Sequence, residues 1–405
     1  MTYFIYYMNK HEEPGPTEPG GDVARLVASS VATMLKNQDP SGAFIASPDF
    51  AEYRYCWLRD GSFTAYALDR AGETEAARAF HEWSAAAIEG IGPIISAALD
   101  RRAAGQRIEP PRMPPARFSL SGHPVGDDWP NFQIDGYGTW VWSLHQHLEK
   151  SGVRELPSRL ARSVESVGRY LAGFGMSPCY DVWEESGDSV HTATLGCVYA
   201  GLQAAASMLG DAALADEAEI VRAALLDQAR RLGRFAKSDR DQQIDAALLW
   251  LCEPFHVVAP DEPAFAETLG RIVAELDFDG GVRRYPTDTY YGGGAWPVLT
   301  ASLGWAHAVA GDLTAAQRRQ DWVSDHFDDE GRLREQFGGD RRDPEHYREW
   351  VGRWGPSAAD LVWSHAMYVV LAIEVAGRNA TSTGTTPATH VLSTTNPERK
   401  ERNTT

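Results

Sequence analysis

The sequence predicts an all-α protein whose helices are arranged as a double ring. Three observations carry this expectation. About a dozen segments of the 405 residues place apolar side chains at helical spacing, and none shows convincing strand-like alternation. The helices follow one another as hairpins. They do so without a repeat of fixed length, which argues against an open solenoid. An inner ring covered by outer helices buries every apolar stripe and leaves the long connections at one end to build a pocket. Closed barrels of this kind run past the length at which single cores usually stop growing.

In chain order, residues 1–20 are rich in Pro, Gly and Glu and are expected to form a flexible arm, with the catalytic domain spanning 21–378. Val23, Leu26, Val27, Val31 and Leu35 recur at helical spacing and give a first helix over 22–36. The run from Tyr53 to Ser62 enters a second helix that ends near Ala71, with Asp60 near its start, where a carboxylate can cap unpaired N–H groups. A third amphipathic segment covers 73–102. Residues 110–131 are too many for an ordinary helix connection, and such loops tend to serve a site. Helices are expected next over 135–150 and 157–174, with Gly136 and Gly138 beside aromatic residues suggesting close backbone approach. The segments 190–209, 212–232, 241–251 and 261–276 continue the pattern. Residues 280–297 interrupt it with Gly, Tyr, Arg and Asp, a site-loop composition. Helices over 296–310 and 313–326, a charged loop after Gln336 and a last helix over 357–376 complete the domain. The Thr-rich residues 379–405 are expected to be disordered.

A formal net charge of -18 disfavours a nucleic-acid or anionic-membrane partner, since either requires clustered Lys and Arg, and suits a neutral small molecule. Cys56, Cys179, Cys197 and Cys252 are far apart without a C-x-x-C pair, so they read as reduced packing residues. No metal or cofactor is expected, because His145 and His147 are two residues apart and face different sides of a helix. The apolar run from Tyr3 to Met8 lacks a basic region and a small-residue cleavage site, and no run reaches membrane-spanning length. The expected compartment is the cytoplasm.

The chemistry centres on Tyr180-Asp181-Val182-Trp183-Glu184-Glu185, two adjacent carboxylates beside an indole. Desolvation by a ring and a neighbouring like charge both favour the protonated form, which a general acid requires. The other loops add Trp57, Arg59, Asp60, Trp129, Arg284, Asp288, Tyr290, Trp296 and Glu335. Aromatic faces cover a pyranose ring, while Arg and Asp bind its hydroxyls.

These residues resemble glycoside hydrolase family 15, the glucoamylase-like enzymes, through Tyr53-x-Tyr55-x-Trp57-x-Arg59-Asp60, the Trp183-Glu184-Glu185 run, Arg284-Tyr285-Pro286-x-Asp288-x-Tyr290-Tyr291, Glu335-Gln336 and Ala359-Asp360-Leu361-Val362-Trp363-Ser364. The resemblance implies an (α/α)6 barrel and an inverting exo-hydrolase that removes glucose from non-reducing ends. It implies Glu184 as general acid and Glu335 as general base, with Arg59 and Asp60 on the hydroxyls of the terminal glucose and Arg284 near the scissile bond. Tyr53, Trp57 and Trp183 line that subsite, and Trp129, Glu185, Asp288, Tyr290 and Trp296 complete the binding set. Inversion needs one protonated and one ionised carboxyl with room for a water. Glu335 beside Arg334 is expected to stay ionised, and Glu184 beside Glu185 to hold its proton. The choice of Glu184 over Glu185 rests on the resemblance.

The sequence departs from many bacterial members in having no N-terminal β-sandwich, and from fungal ones in having no starch-binding module. Short α-glucosides are therefore expected, isomaltose first and maltose second. The alternatives are an α,α-trehalase, a glycoside phosphorylase in which phosphate replaces the activated water, and a catalytically silent sugar-binding protein.

Overall fold

A computed structural model describes residues 21–126, 129–153 and 155–382. The expected arm, 1–20, and all but the first four residues of the expected tail, 379–405, lie outside the described residues. The helices begin with α1 Gly21–Lys36, α2 Leu58–Ala71, α3 Thr74–Gly90, α4 Gly92–Ala103 and α5 Asp135–Ser151. They continue with α6 Ser158–Phe174, α7 Thr192–Leu209, α8 Ala212–Leu232, α9 Pro263–Leu276 and α10 Pro297–Val309. The last four are α11 Leu313–Ser324, α12 Gly339–Arg342, α13 Pro344–Trp354 and α14 Val362–Ser382.

An inner ring closes through α2, α5, α7, the 3-10 helix Ala246–Leu251, α10 and α14, each packed on the next and α14 back on α2. Outer helices α1, α3, α6, α8, α9 and α11 lie against it. This is the expected (α/α)6 barrel. The two layers differ as their sequences require. Every residue from Thr192 to Leu202 in α7 is buried, and α10 is buried around nearly its whole circumference, as suits helices with neighbours on all sides. In α6 the buried positions Leu160, Val164, Val167, Leu171 and Phe174 form one stripe, the mark of an outer helix.

Four elements depart from the sequence expectation. The segment over 73–102 is two helices, because Pro93 opens α4 and cannot continue the hydrogen-bond ladder of α3. The expected helix over 241–251 is only the 3-10 turn Ala246–Leu251, capped by Asp245 and followed closely by Pro254. The expected charged loop holds α12 and α13. Asp343 caps α13 by accepting a hydrogen bond from the His346 N–H, and Pro344 supplies its first turn. The final helix starts five residues late and runs to Ser382. Two small antiparallel ladders, β1 Cys56–Trp57 with β2 Arg117–Phe118 and β3 Asp277–Phe278 with β4 Gly281–Val282, tie loops together at the pocket end and beneath α10.

The α5–α7 crossing is set by glycine. A Cβ added at Gly138 would lie 2.2 Å from the Cys197 carbonyl oxygen, and one at Gly201 would lie 2.6 Å from the Gly138 Cα. Backbone on both sides leaves no side chain to yield. Gly138→Ala is therefore expected to destabilise the fold by about 1–3 kcal/mol or more through overpacking, read as a lowered thermal midpoint with unchanged helical circular dichroism at low temperature. A wild-type midpoint would remove this contact from the barrel's constraints.

Candidate active site

The side chains singled out from the sequence converge where the inner-ring elements begin. A cavity of about 300 Å³ opens there. It is lined by Tyr53, Trp57, Arg59, Asp60, Trp129, Trp183, Glu184, Glu185, Arg284, Tyr290, Trp296 and Glu335. Of the residues expected in the site, Asp288 alone does not line it. Asp288 is fully buried behind Arg284 and accepts from its guanidinium Nε at 2.9 Å and Nη2 at 2.6 Å and from the Tyr290 N–H at 2.9 Å. It orients the arginine rather than facing the cavity.

Glu184 sits at the tip of a turn in left-handed backbone, φ 68°. Its neighbours enforce this strained conformation. The Asp181 Oδ1 accepts from the N–H groups of Trp183 and Glu185, both at 2.9 Å, and the Asp181 carbonyl accepts from the Glu184 N–H at 2.9 Å. The Glu184 carboxyl accepts from Trp57 Nε1 at 2.7 Å and from Gln133 Nε2 at 3.1 Å. Glu185 turns the other way. It accepts from Arg284 at 3.2 Å and from the Tyr285 hydroxyl at 2.5 Å. Adjacent in sequence, the two carboxyls are held by separate sets of donors.

Glu335 is 1% exposed and accepts from the Tyr53 hydroxyl at 2.8 Å, with the Tyr290 hydroxyl 3.4 Å away. Burial pushes its pKa up to about 7, against the opposing pull of these hydroxyls and of the Arg284 charge. The sequence reading took Arg334 as the cation that keeps Glu335 ionised. Arg334 is exposed, and the cation acting on Glu335 is Arg284, brought across from another loop.

Arg59 and Asp60 open α2. The Arg59 Nη1 donates to Asp135 at 2.8 Å and Gln133 at 3.2 Å, while its Nε lies 3.5 Å from the Asp60 Oδ2. Arg59 Nε and Asp60 Oδ2 are buried and make no hydrogen bond within the chain. Both residues line the cavity. Burial raises the Asp60 pKa to about 6 despite Arg59.

Several lining residues lie outside the expected site set, Tyr291 and Trp363 among them although they stand in the family-like motifs. Trp350, Arg353 and Trp354 come from α13, with Trp354 43% exposed at the rim; Phe50, Tyr291 and Trp363 add further aromatic surface. The spacing of Trp350 and Trp354, four apart after the Asp343-Pro344 start signal, was the available clue.

One group of metal-ligating side chains exists among the described residues. Asp69 on α2, His81 on α3 and His147 on α5 are buried together, with ligand atoms within 4.8 Å of one another, and His147 Nδ1 lies in hydrogen-bond contact with Asp69 Oδ2 at 2.9 Å. No described helix is long and apolar enough to cross a membrane.

Ring faces, unsatisfied polar atoms and two independently held carboxyls suit the cleavage of sugars, and the protein's relatives agree that it is a glycoside hydrolase. The chain belongs to glycosyl hydrolase family 15, whose description matches residues 22–332. It is 37% identical over 364 residues to the isomaltose glucohydrolase of Kribbella flavida, covering 86% of this chain and 92% of that protein. It is 26% identical over 285 residues to Trehalase 2 of Sulfolobus acidocaldarius, covering 62% and 47%. A glycosidase variant solved in complex with glucose superposes with a TM-score of 0.84 at 36% identity, over 87% of this chain and 97% of that one. The glucoamylase of Saccharomycopsis fibuligera, 16% identical with a TM-score of 0.67 over 92% and 98%, shares the fold. The family match ends before Glu335, so the place of that residue rests on the geometry above.

The environment of Glu335 is directly measurable. In a ¹³C titration of labelled glutamate carboxyls, one resonance absent from Glu335→Gln should titrate near pH 7. In Tyr53→Phe the midpoint should move upward, because the lost hydrogen bond favours the ionised form. A midpoint near 4, or a downward move, would contradict the burial argument.

Proposed function

We propose that the protein is an inverting, exo-acting α-glucosidase that releases β-D-glucose from the non-reducing end of short oligosaccharides of the isomaltose type. The observation that carries this reading is the separate support of the two glutamates. Glu184 is held by Trp57 and Gln133, Glu335 by Tyr53 and Tyr290, and Trp57 stands edge-on to Tyr53 with ring centroids 5.8 Å apart between them. The two carboxyls take their hydrogen bonds from different donors, so each can fill its own role, as an acid and a base must.

In this reading Arg59 and Asp60 hold hydroxyls of the terminal glucose at the cavity floor, and Trp57, Trp183 and Trp296 close around its ring. Glu184 gives its proton to the glycosidic oxygen as the bond to the anomeric carbon breaks. Glu335 takes a proton from the water that attacks the same carbon from the opposite face. The pKa of Glu335, about 7, places the ionised base in the neutral and alkaline range. The acid form cannot accept a proton, so kcat/KM should fall as pH drops through this value.

The isomaltose preference is drawn from the Kribbella flavida relative, with maltose second. The likeness to a trehalase supports a second reading, since trehalose also presents a terminal α-glucose. Only the side of the cavity that receives the leaving group distinguishes them. Trp350, Arg353 and Trp354 of α13 also line the cavity and would offer contacts to a small number of additional sugar units.

Glu184→Gln and Glu335→Gln are each expected to lower kcat by about 10²–10⁴-fold with the thermal midpoint retained, as measured by free glucose released. Undiminished kcat in either variant removes that residue from the mechanism. Proton NMR during the first minutes of hydrolysis should show β-glucose appearing first; initial α-glucose would refute inversion. The same assay across isomaltose, maltose, trehalose and longer α-glucans, with and without phosphate, is expected to give the highest kcat/KM on isomaltose and no phosphate requirement. A steep rise with chain length would overturn the short-substrate reading, and glucose 1-phosphate as product would indicate a phosphorylase.

A further inference from the structure

Behind the Glu184 turn lies a cation that the sequence reading never singled out. Lys237 lies on the connection between α8 and the 3-10 helix Ala246–Leu251, and its side chain is 5% exposed. Its Nζ donates to Asp245 Oδ2 at 3.0 Å, lies 3.2 Å from Asp181 Oδ2 and sits 3.6 Å from the centre of the Tyr285 ring. It does not line the cavity.

Each of these partners holds the Glu184 turn from a different side. Asp181 accepts from the backbone on both sides of Glu184. Asp245 accepts from Trp183 Nε1 at 2.9 Å. Tyr285 donates to Glu185. A buried ammonium offers three donors in a compact head and can bridge such groups, whereas two facing carboxyls without it would repel each other.

We propose that Lys237 is a positioning residue for proton donation, locking the Trp183-Glu184-Glu185 turn through Asp181 and Asp245 so that Glu184 is held in its left-handed conformation and aimed at the glycosidic oxygen. The proposal rests on the reading of Glu184 as proton donor. Without the cation, Asp181 faces a second buried acid, its hold on the two N–H groups weakens, and a strained φ of 68° has less to maintain it. The charged and titratable groups around Lys237 are Asp181, Asp245, Glu185 and Tyr285, so its removal also makes the turn more negative.

The test separates positioning of the acid from general loss of structure. Isomaltose needs a proton on its departing oxygen, whereas α-D-glucosyl fluoride carries a leaving group that departs with little help. Lys237→Met should lower kcat on isomaltose by about 10–100-fold, the scale of a misplaced catalytic group, and on the fluoride by less than about threefold. Lys237→Met/Asp245→Asn keeps the buried charge balanced and should fold where the single variant does not. The repulsion between positions 181 and 245 is then gone, but so is the ammonium that ties them together, so the double variant should still show a selective loss on isomaltose. Equal losses on both substrates, or no loss on isomaltose in the balanced variant, would overturn the proposal. Glu184→Gln is measured beside them. If it shows no selective loss on isomaltose, the proton-donor reading itself falls; if it does while the lysine variants do not, only the role of Lys237 falls.

Discussion

The inner ring imposes one constraint on everything else: its six elements all enter the barrel from the same end. Each is preceded by a connection that must arrive there, so residues remote in sequence meet above the ring. Trp57 leads into α2, Gln133 into α5, the Glu184 turn into α7, Lys237 and Asp245 into the 3-10 helix, Arg284 and Trp296 into α10, and Glu335 into α14. The backbone N–H groups at such helix starts favour negative charge nearby, which suits an end of the barrel crowded with carboxyls. The outer helices return the chain to this end and cover the ring's apolar surface. Gly138 and Gly201 let α5 and α7 approach closely enough for the ring to close.

How much of this was legible in the sequence depended on whether a residue's meaning was local. Helical spacing gave most of the barrel, because a stripe of apolar residues records the face that is buried. The loop motifs gave most of the cavity wall, because Trp, Arg and Glu clustered between helices have few structural reasons to be there. The failures are pairings. Arg334 was matched to Glu335 by adjacency, whereas the structure points it to solvent and brings Arg284 across from another loop. Asp288 looked like a ligand contact because it stands in a motif of ligand contacts, yet both its oxygens go to Arg284. Lys237 and Asp245 gave no signal at all. A single Lys in a polar connection reads as solvated until folding places it between two acids. The α13 rim was lost because the charged run Asp340 to Asp343 before it, with Glu345, Arg348, Glu349 and Arg353 inside it, reads as a solvated loop and masks Trp350 and Trp354.

The charges beneath the cavity follow a pattern that adjacency in sequence hides. Three buried cations each serve two acids: Arg59 serves Asp60 and Asp135, Arg284 serves Asp288 and Glu185, and Lys237 serves Asp181 and Asp245. Glu184 and Glu335 come in addition. Acid groups thus outnumber cations at the site, and burial moves the pKa of Asp60 to about 6 and that of Glu335 to about 7. A ground-state sugar is neutral and gains little from this excess. For the proposed reaction the transition state is different, since positive charge develops at the anomeric carbon as the leaving oxygen departs. Fixed negative charge around the cavity then acts more strongly on the transition state than on the substrate, which is the condition for lowering a barrier rather than merely binding. The cations counter this gain only in part, because each is already turned toward its own pair of acids. Their arrangement keeps the acids folded in place while leaving the net field negative where the sugar's charge would appear.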